Sequence, residues 1–206
     1  MYSFFRQYAQ TQLKQKEIIC IKMRKNSTNI FLKDCMADAL LRLLKKKPLE
    51  QITITEITNT ANVGRVTFYR NFTSKEELLD YRLTSLILIW WSDTGQYLKN
   101  DAWNMAAGIF RFIADIRDII QILTDAGLFY MVSDSFYKVI GPKNKEDQTE
   151  LYRGAYHSFG LCAIASVWVS TGMRETPEEL ADIVTSSAFQ QQIPADFSQK
   201  PAGYEL

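Results

Sequence analysis

Histidine and paired cysteine are what this chain has least of. It holds one histidine, His157, and three cysteines, Cys20, Cys35 and Cys162, which form no spaced pair. Metal centres and nucleophile–histidine catalysis therefore have little to be built from. An odd number of scattered thiols argues against a disulfide framework and fits a reducing compartment. Neither of the glycine-rich phosphate-binding patterns occurs. Asp115, Asp118 and Asp134 read as ordinary acids on solvated helix faces. The most apolar later stretch, Phe159 to Val169, is too short to span a bilayer and is broken by Gly160 and Ser166. The opening residues Met1-Tyr2-Ser3-Phe4-Phe5-Arg6 lack the apolar run of a signal peptide. Strand signals are scarce and no internal repeat is visible. The expectation is a soluble cytoplasmic protein that is not an enzyme and has no cofactor, metal or membrane attachment.

What is present is charge, unevenly spread. The net charge of +1 hides two opposed halves. Residues 1–75 hold 14 Lys+Arg against 5 Asp+Glu, and residues 76–206 hold 10 against 18. A basic head suits a polyanion, and an acidic body is repelled by the same polyanion and faces away from it.

Helical periodicity dominates from Asn29 to about Phe189. Residues 1–28 form a basic amino-terminal arm, either disordered or carrying an extra helix. Met23-Arg24-Lys25 is an alternative start, so residues 1–22 read as a possible over-long gene start. A first helix over Asn29–Lys46 places Phe31, Cys35, Leu40, Leu43 and Leu44 on one apolar face. Lys45-Lys46-Lys47 and Pro48 close it, because cations suit a helix C-terminus and proline stops the helix. Thr53 with Glu56 three residues on is a capping box that starts a second helix. Ala61-Asn62-Val63 makes a tight turn, with Asn62 suited to a left-handed position. A third helix over Arg65–Asn71 turns Phe68 and Phe72 inward together. Ser74 and Glu77 cap a long fourth helix, from Lys75 to about Tyr97. Breaks near Asn100-Asp101, Asp125-Ala126-Gly127, Gly141-Pro142-Lys143-Asn144 and Gly172 to Pro177 divide the rest into four or five helices. Thr176-Pro177-Glu178-Glu179 is a strong start for the last of them.

Two short helices, a tight turn and a capped third helix have the spacing of a helix-turn-helix. With Phe68 and Phe72 buried, the opposite face of Arg65–Asn71 presents Arg65, Val66, Thr67, Tyr69 and Arg70. Those types supply what a major groove takes: cations for phosphate or guanine, hydroxyls for phosphate, and a methyl surface for thymine. Thr53 and Thr55 begin the preceding helix and can reach phosphate through hydroxyl and backbone N–H. Lys75 at the start of the fourth helix can do the same. These eight residues are the candidate DNA contacts.

Residues 29–80 resemble the TetR family of bacterial transcription regulators. The residues that carry the resemblance are Ile52-Thr53-Ile54, Glu56-Ile57-Thr58, Ala61-Asn62-Val63-Gly64, Val66-Thr67-Phe68-Tyr69, Phe72 and Ser74-Lys75-Glu76-Glu77-Leu78-Leu79. Asn62 stands where glycine is usual. Gly64 replaces a usual serine cap, which weakens the start of the helix by about a few tenths of a kcal/mol. Val66 replaces a common glycine and adds an apolar surface. Near the other end, Trp168-Val169-Ser170-Thr171-Gly172-Met173-Arg174-Glu175-Thr176-Pro177-Glu178-Glu179-Leu180-Ala181 resembles a stretch of one TetR subgroup, which includes the activator of dihydroxyacetone-kinase operons.

The resemblance implies an all-α protein of about nine helices. A helix-turn-helix head over residues 29–74 precedes an effector-binding and dimerisation body over residues 75–189, and a loose tail occupies 190–206. It implies a homodimer on a palindromic stretch of double-stranded DNA, with a four-helix interface made by the last two long helices. Ala155, Phe159, Ala163 and Val167 on the eighth helix, with Leu180 and Ile183 on the ninth, are the expected seam. It also implies an apolar effector pocket in the body, for which Trp91, Trp103, Phe110, Phe129, Tyr130, Tyr137 and Tyr156 are the candidates. Aromatics at helical spacing are equally the ordinary content of a core. Two other readings stay open: a regulator whose body answers to a partner protein, and an all-helical ligand-binding protein or enzyme with a fortuitous helix-turn-helix.

Overall fold

A computed structural model describes residues 28–95, 98, 101–142, 146–187 and 189. The arm over most of 1–28, the alternative start, Cys20 and the tail from 190 lie outside the described residues. Among the described residues the chain is all helix. It has α1 (28–44), one 3₁₀ turn (Leu49–Gln51), α2 (Ile54–Ala61), α3 (Arg65–Asn71), α4 (Lys75–Thr94), α5 (Ala102–Asp115), α6 (Arg117–Asp125), α7 (Tyr130–Ile140), α8 (Gln148–Ser170) and α9 (Pro177–Thr185). The chain divides into two compact units between Ser85 and Leu86, inside α4. No described helix is long and apolar enough to cross a membrane.

In the first unit, α1 buries Met36, Ala37, Ala39, Leu40, Leu41 and Leu44. Phe31, expected on that face, is 64% exposed. It precedes Leu40 by about two and a half helical turns, so it points the opposite way. Leu49 and Ile52 fix the 3₁₀ turn in the core, and Ile57, Phe68, Phe72, Leu78, Leu79 and Leu83 complete it. Polar bonds join α1 to the first half of α4. Arg82 pairs with Asp38 at 2.9 Å and lies 3.8 Å from Asp34, while the Tyr81 hydroxyl donates to Asp34 at 3.1 Å.

In the second unit, α9 packs on α5, while α6 and α7 pack on α8. Its aromatic core is Trp90, Phe112 and Phe136, three rings in mutual contact with centroids 5.3 to 5.8 Å apart. Five helices follow α4, within the range expected from the breaks. One break had no glycine or proline to mark it: Ile116, at φ −104° and ψ 24°, separates α5 from α6. The start of α9 is as read from Thr176-Pro177, and here the Thr176 hydroxyl and the Glu179 carboxylate form a full capping box. Burial pushes the Cys162 thiol up to about 12, so it stays protonated and inert at neutral pH.

Candidate nucleic-acid interface

The helix-turn-helix is built from local signals. Thr53 accepts the Glu56 backbone N–H, and Glu56 receives the Thr53 N–H at 2.9 Å and its hydroxyl at 2.9 Å. The same carboxylate takes the Lys47 ammonium at 2.6 Å. At the far end of α2, Asn62 sits in the left-handed region at φ 55° and ψ 44°. The Val63 N–H then closes back on the Thr58 carbonyl at 3.0 Å. That turn redirects the chain into α3 through Gly64, whose backbone is extended and which offers no side-chain cap.

Glu56 also sets a pH response. The Lys47 hydrogen bond, helped by the N–H and hydroxyl of Thr53, holds its carboxyl down at about 2 against an ordinary 4.5. A depressed acid stabilises the fold above its unfolded value and loses that contribution as pH falls through the folded one. Denaturant unfolding should show the head weakening between pH 4.5 and about 2. Glu56→Gln should flatten the profile in that window. An unchanged profile in the variant would show that other acids set the response.

Helix α3 divides cleanly. Phe68 is fully buried and packs on Phe72 with centroids 5.8 Å apart. On the other side Val66 is 70% exposed and Tyr69 is 55% exposed, with Arg65 and Arg70 exposed beside them. The Arg65 guanidinium lies 6.0 Å from the Tyr69 ring centroid and within 3.5 Å of its hydroxyl. Thr67 is half-buried, and its carbonyl takes the Asn71 amide at 2.8 Å. One face thus brings together two guanidiniums, a phenol and an isopropyl group. Thr55 is exposed at the start of α2, where the first N–H groups have no intrahelical acceptor.

Two of the eight candidates are used differently from the sequence expectation. The Thr53 N–H and hydroxyl proton both go to Glu56, so neither is left to donate to phosphate. The Lys75 ammonium donates to the carbonyls of Leu49 at 2.5 Å and Ile52 at 3.0 Å. Sequence spacing places such groups at helix starts; it does not show what neighbours already occupy them. Lys47, not among the candidates, proves to be part of the same framework. Ser74 caps α4 as expected, accepting the Glu77 N–H at 3.1 Å, and the Glu77 carboxylate receives the N–H and hydroxyl of Thr73.

In the second unit the candidate pocket residues scatter. Phe110 is buried against Trp168. Trp103 donates its indole N–H to Asp182 at 2.6 Å. Tyr137 stacks on Phe159, and Trp91, Trp103, Phe129 and Tyr137 are half-buried. Tyr130 and Tyr156 are 58% and 72% exposed, so these two lie outside the bundle rather than lining its interior. Of the expected seam, one residue of six, Leu180, lies inside the chain's own core. Phe159, Ala163 and Val167 are exposed on α8, Ile183 is exposed on α9, and Ala155 is half-buried. Leu180 is buried, because its side of α9 is the side that meets α5. The outer stripe of α8 gains Tyr152 and Tyr156, which the spacing Tyr152-Tyr156-Phe159 could have revealed.

An exposed cationic and aromatic helix, held over a buried phenylalanine pair by a left-handed turn and two capped neighbours, defines a helix-turn-helix DNA-binding head. Residues 37–81 match the family described as bacterial regulatory proteins, tetR family. Those residues form a TetR-type helix-turn-helix head. No curated protein matches it. A solved structure titled dihydroxyacetone kinase operon activator DhaS shares 20% identity with it, over 74% of this chain and 91% of that chain, with a TM-score of 0.41.

Proposed function

We propose that this regulator binds a palindromic operator in the cytoplasm as a homodimer and that its helical body, beyond a head over residues 29–74, receives a small effector. The observation that carries the DNA-binding part is the exposed face of α3, with Arg65, Val66, Tyr69 and Arg70 directed away from the buried Phe68 and Phe72. A cationic head on an otherwise acidic chain supports it. The homodimer is supported by the outer stripe of α8. Tyr152, Tyr156, Phe159, Ala163 and Val167 recur at four- and three-residue intervals along one exposed, largely apolar side. A second copy is the natural cover for such a face, and two heads about 34 Å apart would match one turn of DNA. Trp91, Trp103, Phe129 and Tyr137 have the partial burial that a ligand-touching aromatic needs.

The test uses the DNA upstream of the protein's own reading frame and a random duplex of equal length. Arg65→Ala should cost about 1–3 kcal/mol on the specific duplex if its guanidinium reads a base. Tyr69→Phe, which loses only a hydroxyl, should weaken both duplexes alike. If both variants bind as the parent does, this face of α3 is not the one that meets DNA.

A further inference from the structure

Two lysines of the head converge on one short turn. From the start of α4, the Lys75 ammonium donates to the carbonyls of Leu49 and Ile52, at 2.5 and 3.0 Å. From just past α1, the Lys47 ammonium donates to the carbonyl of Gln51 at 2.9 Å and to Glu56 at 2.6 Å. The segment Leu49–Ile52 thus has three carbonyls held by ammonium groups, while the side chains of Leu49 and Ile52 are buried beneath it. Its own backbone bonds are the Gln51 N–H to Pro48 and the Ile52 N–H to Leu49, a single 3₁₀ turn. The Leu49 carbonyl thus accepts both the Ile52 N–H and the Lys75 ammonium, while the carbonyls of Gln51 and Ile52 stand at the end of the turn, where a cation is the donor that suits their partial negative charge. Thr53 and α2 follow at once, so the turn sets where the first N–H groups of α2 point.

We infer that Lys47 and Lys75 are positioning residues for DNA binding. They hold the turn that aims α2 and do not neutralise phosphate themselves. This rests on the DNA-binding reading above. The chemistry separates the two roles. A lysine on phosphate releases a counterion and steepens the dependence of log K on log salt by about 0.9. Losing a lysine that is spent on backbone carbonyls lowers affinity through geometry and leaves that slope alone.

The experiment compares the full chain with Lys75→Met, which keeps the apolar stem and loses the ammonium. Binding to the upstream duplex is titrated across a salt series, and denaturant unfolding is followed without DNA. Affinity should fall roughly tenfold at every salt concentration with an unchanged slope, and the folding equilibrium constant should fall by about tenfold, the scale of a hydrogen bond to a charged group. A slope shallower by about 0.9 would make Lys75 a phosphate contact and overturn the inference. So would a variant that binds and unfolds like the parent. If Lys75→Met does not fold, acetylation of the unaltered protein by an N-hydroxysuccinimide ester, mapped by mass spectrometry, decides instead. Lys47 and Lys75 should react more slowly than the exposed Lys45 and Lys46 before DNA is added and gain no protection from the duplex. Added protection at Lys75 would overturn the inference. A parent chain that binds no duplex would bring down the DNA-binding reading itself. A parent that binds while the variant's slope falls would bring down only the positioning role.

Discussion

Ala163→Glu should leave a folded monomer that no longer holds the upstream duplex tightly. Ala163 is exposed in the single chain, so the carboxylate meets water when the protein is alone and the fold has no reason to suffer. In the proposed dimer the same position lies in the middle of the α8 stripe, between Phe159 and Val167, and the new charge would be buried twice, once from each copy. An unpaired charge taken out of water is costly enough to split an interface held by apolar contact. Losing the second head turns one bivalent event into a single half-site contact, and affinity should fall about a hundredfold or more. Sedimentation at micromolar concentration, together with far-ultraviolet circular dichroism, reads both halves of the claim. A parent that is already monomeric, or a variant that remains a dimer, would place the interface elsewhere.

Phe68→Ala should abolish the head. Phe68 is fully buried, stands edge-on to Tyr69 and packs on Phe72, which in turn packs on Tyr81 with centroids 5.5 Å apart. Removing the ring deletes the support on which α3 rests and leaves a cavity, a loss of about 3–5 kcal/mol. That is a large fraction of the total stability of a small domain. Helical signal should decrease and duplex binding disappear, whereas Phe68→Leu, which refills most of the volume, should retain both in weakened form. A Phe68→Ala chain that binds like the parent would show that α3 does not depend on this ring.

The local parts of this structure were legible in the sequence. Thr53 with Glu56, Asn62 in its left-handed turn, the bounds Arg65–Asn71 and the start of α9 at Thr176-Pro177 all depend on residues within a few positions of one another. Capping and turn chemistry act over that range. What was not legible depended on partners distant in the chain. The Lys75 bonds to Leu49 and Ile52 span 26 and 23 residues, so nothing in the α4 start foretells them. Periodicity put Leu180, Tyr130 and Tyr156 on amphipathic helices but could not say which side of each helix meets a neighbour. Leu180 proved to be inside and the two tyrosines outside. Phe31 was misread for a similar reason, since one apolar residue at the end of a helix does not define its face. The turn at Ile116 has no residue that marks it.

The central claim is that the basic head is a DNA-binding surface, and a salt titration of the unaltered protein on the upstream and random duplexes tests it most directly. If about four to six phosphates are contacted per half-site, log K should fall steeply and linearly with log salt on both duplexes, with a slope of about −0.9 per phosphate. The upstream duplex should stay the tighter of the two throughout, because base contacts survive salt that removes phosphate contacts. A flat response, or equal affinity for the two duplexes at every salt concentration, would contradict the account.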